Sequence, residues 1–247
     1  MIVLKSDEEI ETMAKAGELA GLCLKMLGGM VKVGVTTGEL DAAAEEFIRS
    51  RGGVPTFKGY MGFPASICTS LNDVVVHGIP DETRLQEGDI VSIDVGATLD
   101  GFVGDTAATF PVGKVSRQAR ELMDVTKNAL VAGVAAAKDG AHLGDVGSAI
   151  DSLVRKRSFS VVEDYAGHGV GRRMHEDPSV PNFGMPGTGA LLRKGMVIAI
   201  EPMVNAGGPE VISYPNMRVV TRDGSLSAHF EHTVAVTGSG PRCLTLA

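Results

Sequence analysis

KGMVIAIE, residues 194–201, repeats the pattern of EGDIVSID, residues 87–94. In each, a turn glycine precedes an apolar strand that closes on a carboxylate, and the two carboxylates, Asp94 and Glu201, stand 107 residues apart. The helical segments upstream keep nearly the same interval. Leu40, Ala43, Ala44, Phe47 and Ile48 make one apolar face behind a capping box of Thr36 and Glu39. Val146, Ala149, Ile150, Leu153 and Val154 make the same face 106 residues on, and Gly34 and Gly38 recur as Gly140 and Gly144. A further helix over residues 6–27 opens with the capping spacing of Ser6 and Glu9 and is expected to stop at Gly28 and Gly29; its counterpart spans about 116–138. One interval shared by helices and strands indicates an internal duplication, with halves of about 1–112 and 113–247. No Pro/Gly/Ser-rich linker divides them, so they are expected to pack as a single domain over 1–247. The expected fold is α+β with pseudo-two-fold symmetry, its curved antiparallel sheets covered by helices. A doubly wound nucleotide fold is disfavoured, because no glycine-rich phosphate loop follows a strand.

Composition narrows the function. A hydrophobic content of 44% against 21% charged residues supports a packed core rather than a disordered chain. The net charge of −7 argues against general nucleic-acid binding, which needs a basic face. Cys23, Cys68 and Cys243 are odd in number and widely spaced, so neither a disulfide framework nor a cysteine zinc ribbon is expected. The opening MIVLKSDEEI does not read as a signal peptide, and no uncharged run reaches the ~20 residues a bilayer demands. A cytoplasmic monomer with no membrane association is expected.

If the halves face each other, Asp94 and Glu201 point together at the seam where the two sheets meet. Carboxylates withdrawn from water need a proton, a basic side chain or a cation, and the flanking residues are apolar and acidic. IDVGATLDGFVGDTAATF reads as a hairpin turning near Asp100 and Gly101, which puts Asp105 on the strand beside Asp94. SAHFEHTVAV reads as one further strand, with Phe230, His232 and Val234 alternating against Glu231, Thr233 and Ala235. Four carboxylates exceed the ordinary need of one divalent ion. With His168, in the bare glycine-rich stretch YAGHGVGRRMHEDP, they suit a pair of ions drawn from Mn, Fe, Co or Zn that share a bridging water and deliver it as hydroxide. His229 and His232 are read as satisfied strand histidines without a role.

The set HGIP with His77, IDVGA with Asp94, GDTAATF with Asp105, GHGVGRRMHEDP with His168 and His175, AIEPMV with Glu201 and SAHFEHT with Glu231 resembles the type I methionine aminopeptidases of short bacterial form. The likeness runs through nearly the whole chain, and the fold it implies, the pita-bread arrangement, agrees with the duplication. It implies a hydrolase that removes the initiator methionine from nascent polypeptides whose second residue is small. Asp94, Asp105, His168, Glu201 and Glu231 would hold two divalent metals (Co, Mn, Fe(II) or Zn). Glu201 would accept a proton, His175 would stabilise the tetrahedral oxyanion, and His77 would contact the scissile amide nitrogen or the following residue.

The resemblance also places Tyr60, Phe63, Cys68 and His77 around the methionine side chain, with Phe63 where a tyrosine is common. The chain departs from the family at Met217, where a pocket tryptophan is usual, at Met174, where a phenylalanine often stands, and at Phe57, where a small residue is frequent. A thioether wall defines shape less strictly than an indole, so weaker discrimination against leucine or norleucine is expected. Asn72, Val74 and Ser227 fall where relatives bind sodium or potassium through backbone oxygens. Some relatives meet the ribosome through a basic loop after EPMVNAG; here GGPEVISYPNMRVVTRDG keeps only Arg218 and Arg222, which gives that contact little support. Two alternatives use the same fold: an X-Pro-specific peptidase, and a non-catalytic binding protein, against which the retention of all five donors counts.

Overall fold

The computed structural model describes residues 1–246. The first half carries α1 (Asp7–Met30), α2 (Thr37–Ser50), β1 (Val54–Pro55), β2 (Cys68–Leu71), β3 (Val74–Val76), β4 (Ile90–Leu99) and β5 (Phe102–Pro111). The second opens with α3 (Arg117–Ala136) and α4 (Leu143–Arg155), then β6 (Ser160–Val161), β7 (Gly167–Gly169), β8 (Glu176–Val180), β9 (Val197–Ile200) and β10 (Met203–Asn205). It closes with β11 (Val211–Ser213), β12 (Val219–Thr221), β13 (Ser227–His229), β14 (Glu231–Thr237) and β15 (Gly240–Cys243).

The repeat extends to the hydrogen bonds that start the helices. Thr36 caps α2, with its hydroxyl accepting from Glu39 N at 3.1 Å and Glu39 Oε2 accepting from Thr36 N at 2.7 Å. The equivalent His142 caps α4, donating its backbone N–H to Asp145 Oδ2 at 2.7 Å. Thr36 bridges to Arg84 and His142 to Leu191, and Gly34 (φ 91°) and Gly140 (φ 84°) make the same left-handed turn before each helix. The side-chain cap from Thr36 stabilises its helix by ~1 kcal/mol. Ser6 and Glu9 form a further capping box on α1.

The helix over residues 6–27 does not stop at its glycines; α1 continues through Gly28 and Gly29 to Met30. Gly28 provides clearance instead. A Cβ there would lie 2.4 Å from Phe110 Cε1, so the missing side chain lets the ring of β5 lie against the helix.

Nine strands drawn from both halves form one large sheet, while β13-β10-β6 and β11-β12-β3 make two small three-stranded sheets. The main path of the large sheet runs β1-β4-β5-β14-β9-β7-β8, with β2 on β4 and β15 on β14. The halves join where β5 pairs with β14, through Glu231↔Ala107 and His232↔Thr106. The expected continuous strand over SAHFEHTVAV breaks at Phe230: residues 227–229 pair with β10 in a small separate sheet, whereas β14 pairs with β5 and β9. The change of partner forces the break.

Each half buries its own helix stripe. Leu40, Ile48 and Ile93 belong to one apolar cluster, and Leu122, Ile150 and Ile198 to another. Every such side chain contributes ~1.5–3 kcal/mol on burial. A third cluster, with Met13, Phe57, Phe63 and Met174, borders the site described next. Among the described residues no helix is long and apolar enough to cross a membrane.

Candidate metal centre and substrate pocket

Five neighbouring strands of the large sheet each bring one donor to a common face: Asp94 from β4, Asp105 from β5, Glu231 from β14, Glu201 directly after β9, and His168 from β7. The register explains the convergence. Directly opposed residues of an antiparallel pair share a face, and Ala107 lies opposite both Asp94 and Glu231, while Asp105 lies opposite Gly96. The small side chain of Ala107 stands between Asp94 and Glu231 on that face. Asp94 is not a strand end, because β4 runs on to Leu99 so that the hairpin turn at Asp100 and Gly101 can form; Glu201 does follow the last residue of its strand.

The cluster is short of positive charge. Asp105 and Glu231 are 2% and 1% exposed, and Asp94 Oδ1, Asp105 Oδ1 and Glu231 Oε1 are buried without a hydrogen-bond partner. Burial pushes the Asp105 and Glu201 carboxyls up to about 8. Asp94 and Glu231 go well above the usual range, by burial first and by repulsion from Asp105 next. Among the described residues no lysine or arginine lines this pocket to offset them. Orphaned oxygens, mutual repulsion and the absence of a basic partner are together what a cation would relieve, so the residues fit a metal.

His168 is set up as a donor. Its Nδ1 lies 2.9 Å from Gly169 O, so Nδ1–H donates to that carbonyl and the lone pair stays on Nε2. Nε2 stands 3.5 Å from Glu201 Oε1 and 3.7 Å from Asp105 Oδ2. Burial, helped by His175, pushes this imidazole down to about 4 and keeps the lone pair free at neutral pH. Donor atoms of Asp105, His168 and Glu231 all lie within 4.8 Å of one another.

Above these groups opens a cavity of about 300 Å³. Phe57 and Phe63 form one wall, edge to face with ring centroids 6.4 Å apart. Gly96 makes room for that wall, since a Cβ there would meet Phe57 Cε1 at 2.6 Å. Cys68 pairs with Asp94 across β2 and β4, and burial, then Asp94, raises its thiol well above the ordinary value, which leaves it an inert lining group. Met174 is buried, whereas Met217 stands at the rim, 36% exposed with φ 71°. His175 packs on His168 with ring centroids 4.2 Å apart, and its Nδ1 lies 2.8 Å from the Tyr60 hydroxyl. His77, also at positive φ (60°), faces the same cavity with its ring edge toward Tyr165.

Every pocket residue expected from the sequence therefore lines this one cavity. Asn72 and Ser227 also come together, with Ser227 N donating to Asn72 O at 2.8 Å, and Val74 begins the strand that follows Asn72. Tyr165, Met203 and His229 line the cavity as well, without having been expected there. His229 had a readable signal: it stands two residues before Glu231, the spacing that returns a strand side chain to one face. In the loop after residue 205, the Arg218 guanidinium lies over the Tyr214 ring, and Glu210 and Asp223 accompany the arginines.

The model of metallopeptidase family M24 matches residues 11–238. The chain is 52% identical to a methionine aminopeptidase of Clostridium acetobutylicum, over 100% of this chain and 99% of that protein. It is 48% identical to methionine aminopeptidase 1 of Bacillus subtilis, over 99% of each. The crystal structure of methionine aminopeptidase from Rickettsia prowazekii superposes with a TM-score of 0.98 at 45% identity, covering 100% of both chains. Likeness to the prolidase from Pyrococcus furiosus is weaker, with a TM-score of 0.73 at 26% identity over 99% of this chain and 66% of that one.

Proposed function

The chain belongs to metallopeptidase family M24, and on that premise we propose that it removes the N-terminal methionine from polypeptides whose second residue is small. The observation that carries this reading is the convergence of four carboxylates, three of them with orphaned buried oxygens, and one lone-pair-bearing imidazole in an apolar pocket with thioether and aromatic walls. We read residues 1–247 as one catalytic domain.

Asp94, Asp105, His168, Glu201 and Glu231 would hold two divalent cations, of Co, Mn, Fe(II) or Zn. Bound there, the cations supply Lewis acidity toward the methionyl carbonyl and lower the pKa of water toward neutrality. The rest falls to the chain's own groups. Phe57, Phe63, Met174 and Met217 receive the methionine side chain, and the substrate's ammonium faces the acidic base of the pocket. Glu201, 13% exposed on its side chain, accepts the proton released by the attacking water and passes it to the leaving amine. The Tyr60 hydroxyl, 2.8 Å from His175 Nδ1, would donate to it in this reading, with the His175 proton on Nε2 as the donor to the developing oxyanion. His77 meets the scissile amide nitrogen. A sodium or potassium ion on the backbone oxygens of Asn72, Val74 and Ser227 would brace β3 against β13. The reading places the enzyme in the cytoplasm, where new N-termini appear. With Arg218 stacked on Tyr214, contact with the ribosome through that loop is not part of it.

The test is peptidase activity of metal-stripped protein re-supplied with Mn, Co or Fe(II), on Met-Ala-Ser, Met-Leu-Ser and Ala-Pro. Metal-dependent cleavage of Met-Ala-Ser alone is expected. Cleavage of Ala-Pro in its place would reassign the chain to X-Pro peptidase chemistry.

A further inference from the structure

One imidazole facing the cavity has no place in the donor set named so far. His229 is 2% exposed, and its Nε2 is buried with no hydrogen-bond partner. Its backbone is fixed on both sides: the Thr109 hydroxyl accepts from His229 N at 2.9 Å and donates to His229 O at 2.9 Å, while β13 holds it opposite Met203. The side chain is thus delivered to the centre by a locked main chain, not by a free loop.

Its distances match those of a donor already assigned. Nε2 of His229 lies 3.6 Å from Glu201 Oε2, against 3.5 and 3.7 Å for Nε2 of His168 to Glu201 Oε1 and Asp105 Oδ2. A separation of 3.6 Å is too long for a hydrogen bond. Two donors each ~2.1 Å from one cation, at angles between octahedral and tetrahedral, stand ~3.0–3.5 Å apart. Glu201 therefore lies between two imidazoles, with one nitrogen facing each carboxylate oxygen.

Resting on the reading of the five residues above as metal ligands, we propose that His229 is a sixth donor to the metal centre, through Nε2 beside Glu201 Oε2. A second nitrogen moves the centre's preference from hard cations served by oxygen alone toward Zn, Co and Fe(II).

Saturating the stripped protein, labelled with nitrogen-15 at histidine, with cadmium-113 tests this by the one-bond coupling between metal and ring nitrogen. The expected spectrum shows two coupled imidazole nitrogens in the unmodified chain, one lost in His229→Gln and the other lost in His168→Gln. His232→Gln, whose ring bonds to Thr245 instead, keeps both. Calorimetric titration of His229→Gln is expected to weaken Zn(II) binding ~10–100-fold, the range for losing a group that supports a metal site, and to weaken Mn(II) binding less. A single coupled nitrogen in the unmodified, cadmium-saturated chain, with Met-Ala-Ser cleavage intact after Mn loading, would overturn the sixth donor and leave the proposed function standing. Failure of any divalent cation to bind would overturn both. The decisive count is made on the unmodified chain, so a variant that failed to fold would not obscure it.

Discussion

The Tyr60 hydroxyl lies 2.8 Å from Nδ1 of His175, across 115 residues of chain. Tyr60 comes from the short turn Tyr60–Gly62 and His175 from the glycine-rich segment before β8, so the bond ties two irregular stretches across the cavity. A phenol that donates to Nδ1 fixes the tautomer with the proton on Nε2. Tyr60→Phe is expected to lower kcat about 5-fold with little change in KM or metal stoichiometry, since one hydrogen bond of ~1 kcal/mol aimed at the transition state is lost. An unchanged kcat would remove Tyr60 from the positioning of His175.

Metal-free protein should lose stability as pH rises through a defined window. Asp105 and Glu201 are raised to about 8 in the fold from ordinary carboxyl values of 3.8 and 4.5. Raised carboxyls stabilise the fold fully below the unfolded value and lose that contribution as pH climbs through the folded one. His168 and His232 run the other way: lowered to about 4 from 6.5, chiefly by burial, they add stability as pH rises to 6.5 and are neutral above it. From pH 6.5 to 8 the carboxyls act alone, and a fall on the order of a few kcal/mol is expected. Calorimetric melting in chelator at three pH values across that window checks it. The metal-loaded protein should stay level, because a cation replaces the protons, and a level profile in chelator would contradict the burial argument.

Much of the site was legible because it sits on repeated, register-bound elements. The spacing of Asp94 and Glu201, the hairpin that brings Asp105 alongside, and the strand bearing Glu231 all follow from period and turn chemistry. Gly28 misled because a glycine near a helix end serves equally as a stop or as clearance, and only Phe110, 82 residues away in sequence, decides which. The break at Phe230 was hidden for a related reason: alternation continues through SAHFEHT while the pairing partner changes from β10 to β5 and β9. Sequence alone does not single out His229, because a strand histidine has many bland roles and its orphaned nitrogen exists only in three dimensions.

Met217 should loosen the enzyme's choice of side chain. It stands at the cavity rim, 36% exposed, with its Cε about 4.0 Å from where a Cβ on Gly62 would sit, so a flexible thioether spans toward the turn bearing Tyr60. A thioether with three rotatable bonds adapts to leucine or norleucine where a rigid indole would not. Met217→Trp is expected to raise the ratio of kcat/KM for Met-Ala-Ser over Leu-Ala-Ser or norleucyl-Ala-Ser by several-fold, in line with the ~1–3 kcal/mol that one methylene's fit supplies. Equal or better selectivity in the unmodified chain would show that Phe57, Phe63 and Met174 set the choice instead.

The segment that carries His175 is anchored by a buried ion pair. Lys5 Nζ lies 2.8 Å from Glu176 Oε2, with the two side chains only 4% and 8% exposed, and Glu176 Oε1 accepts from Arg173 N at 3.2 Å. Lys5 is itself held by its backbone N–H to Gly195 O at 2.7 Å, in the turn before β9. Removing one partner of such a pair strands the other charge and costs ~3–5 kcal/mol, whereas removing both can be close to neutral. Lys5→Met should therefore lower Tm by roughly 6–20 °C for a chain of this size. It should also reduce kcat, because Glu176 is adjacent to His175 and would turn outward toward water. The double variant Lys5→Met with Glu176→Gln should recover most of the Tm while leaving kcat impaired, since the anchor is still gone. Equal melting of the single and double variants would mean that the lysine stem's packing, not the charge pair, holds this segment in place.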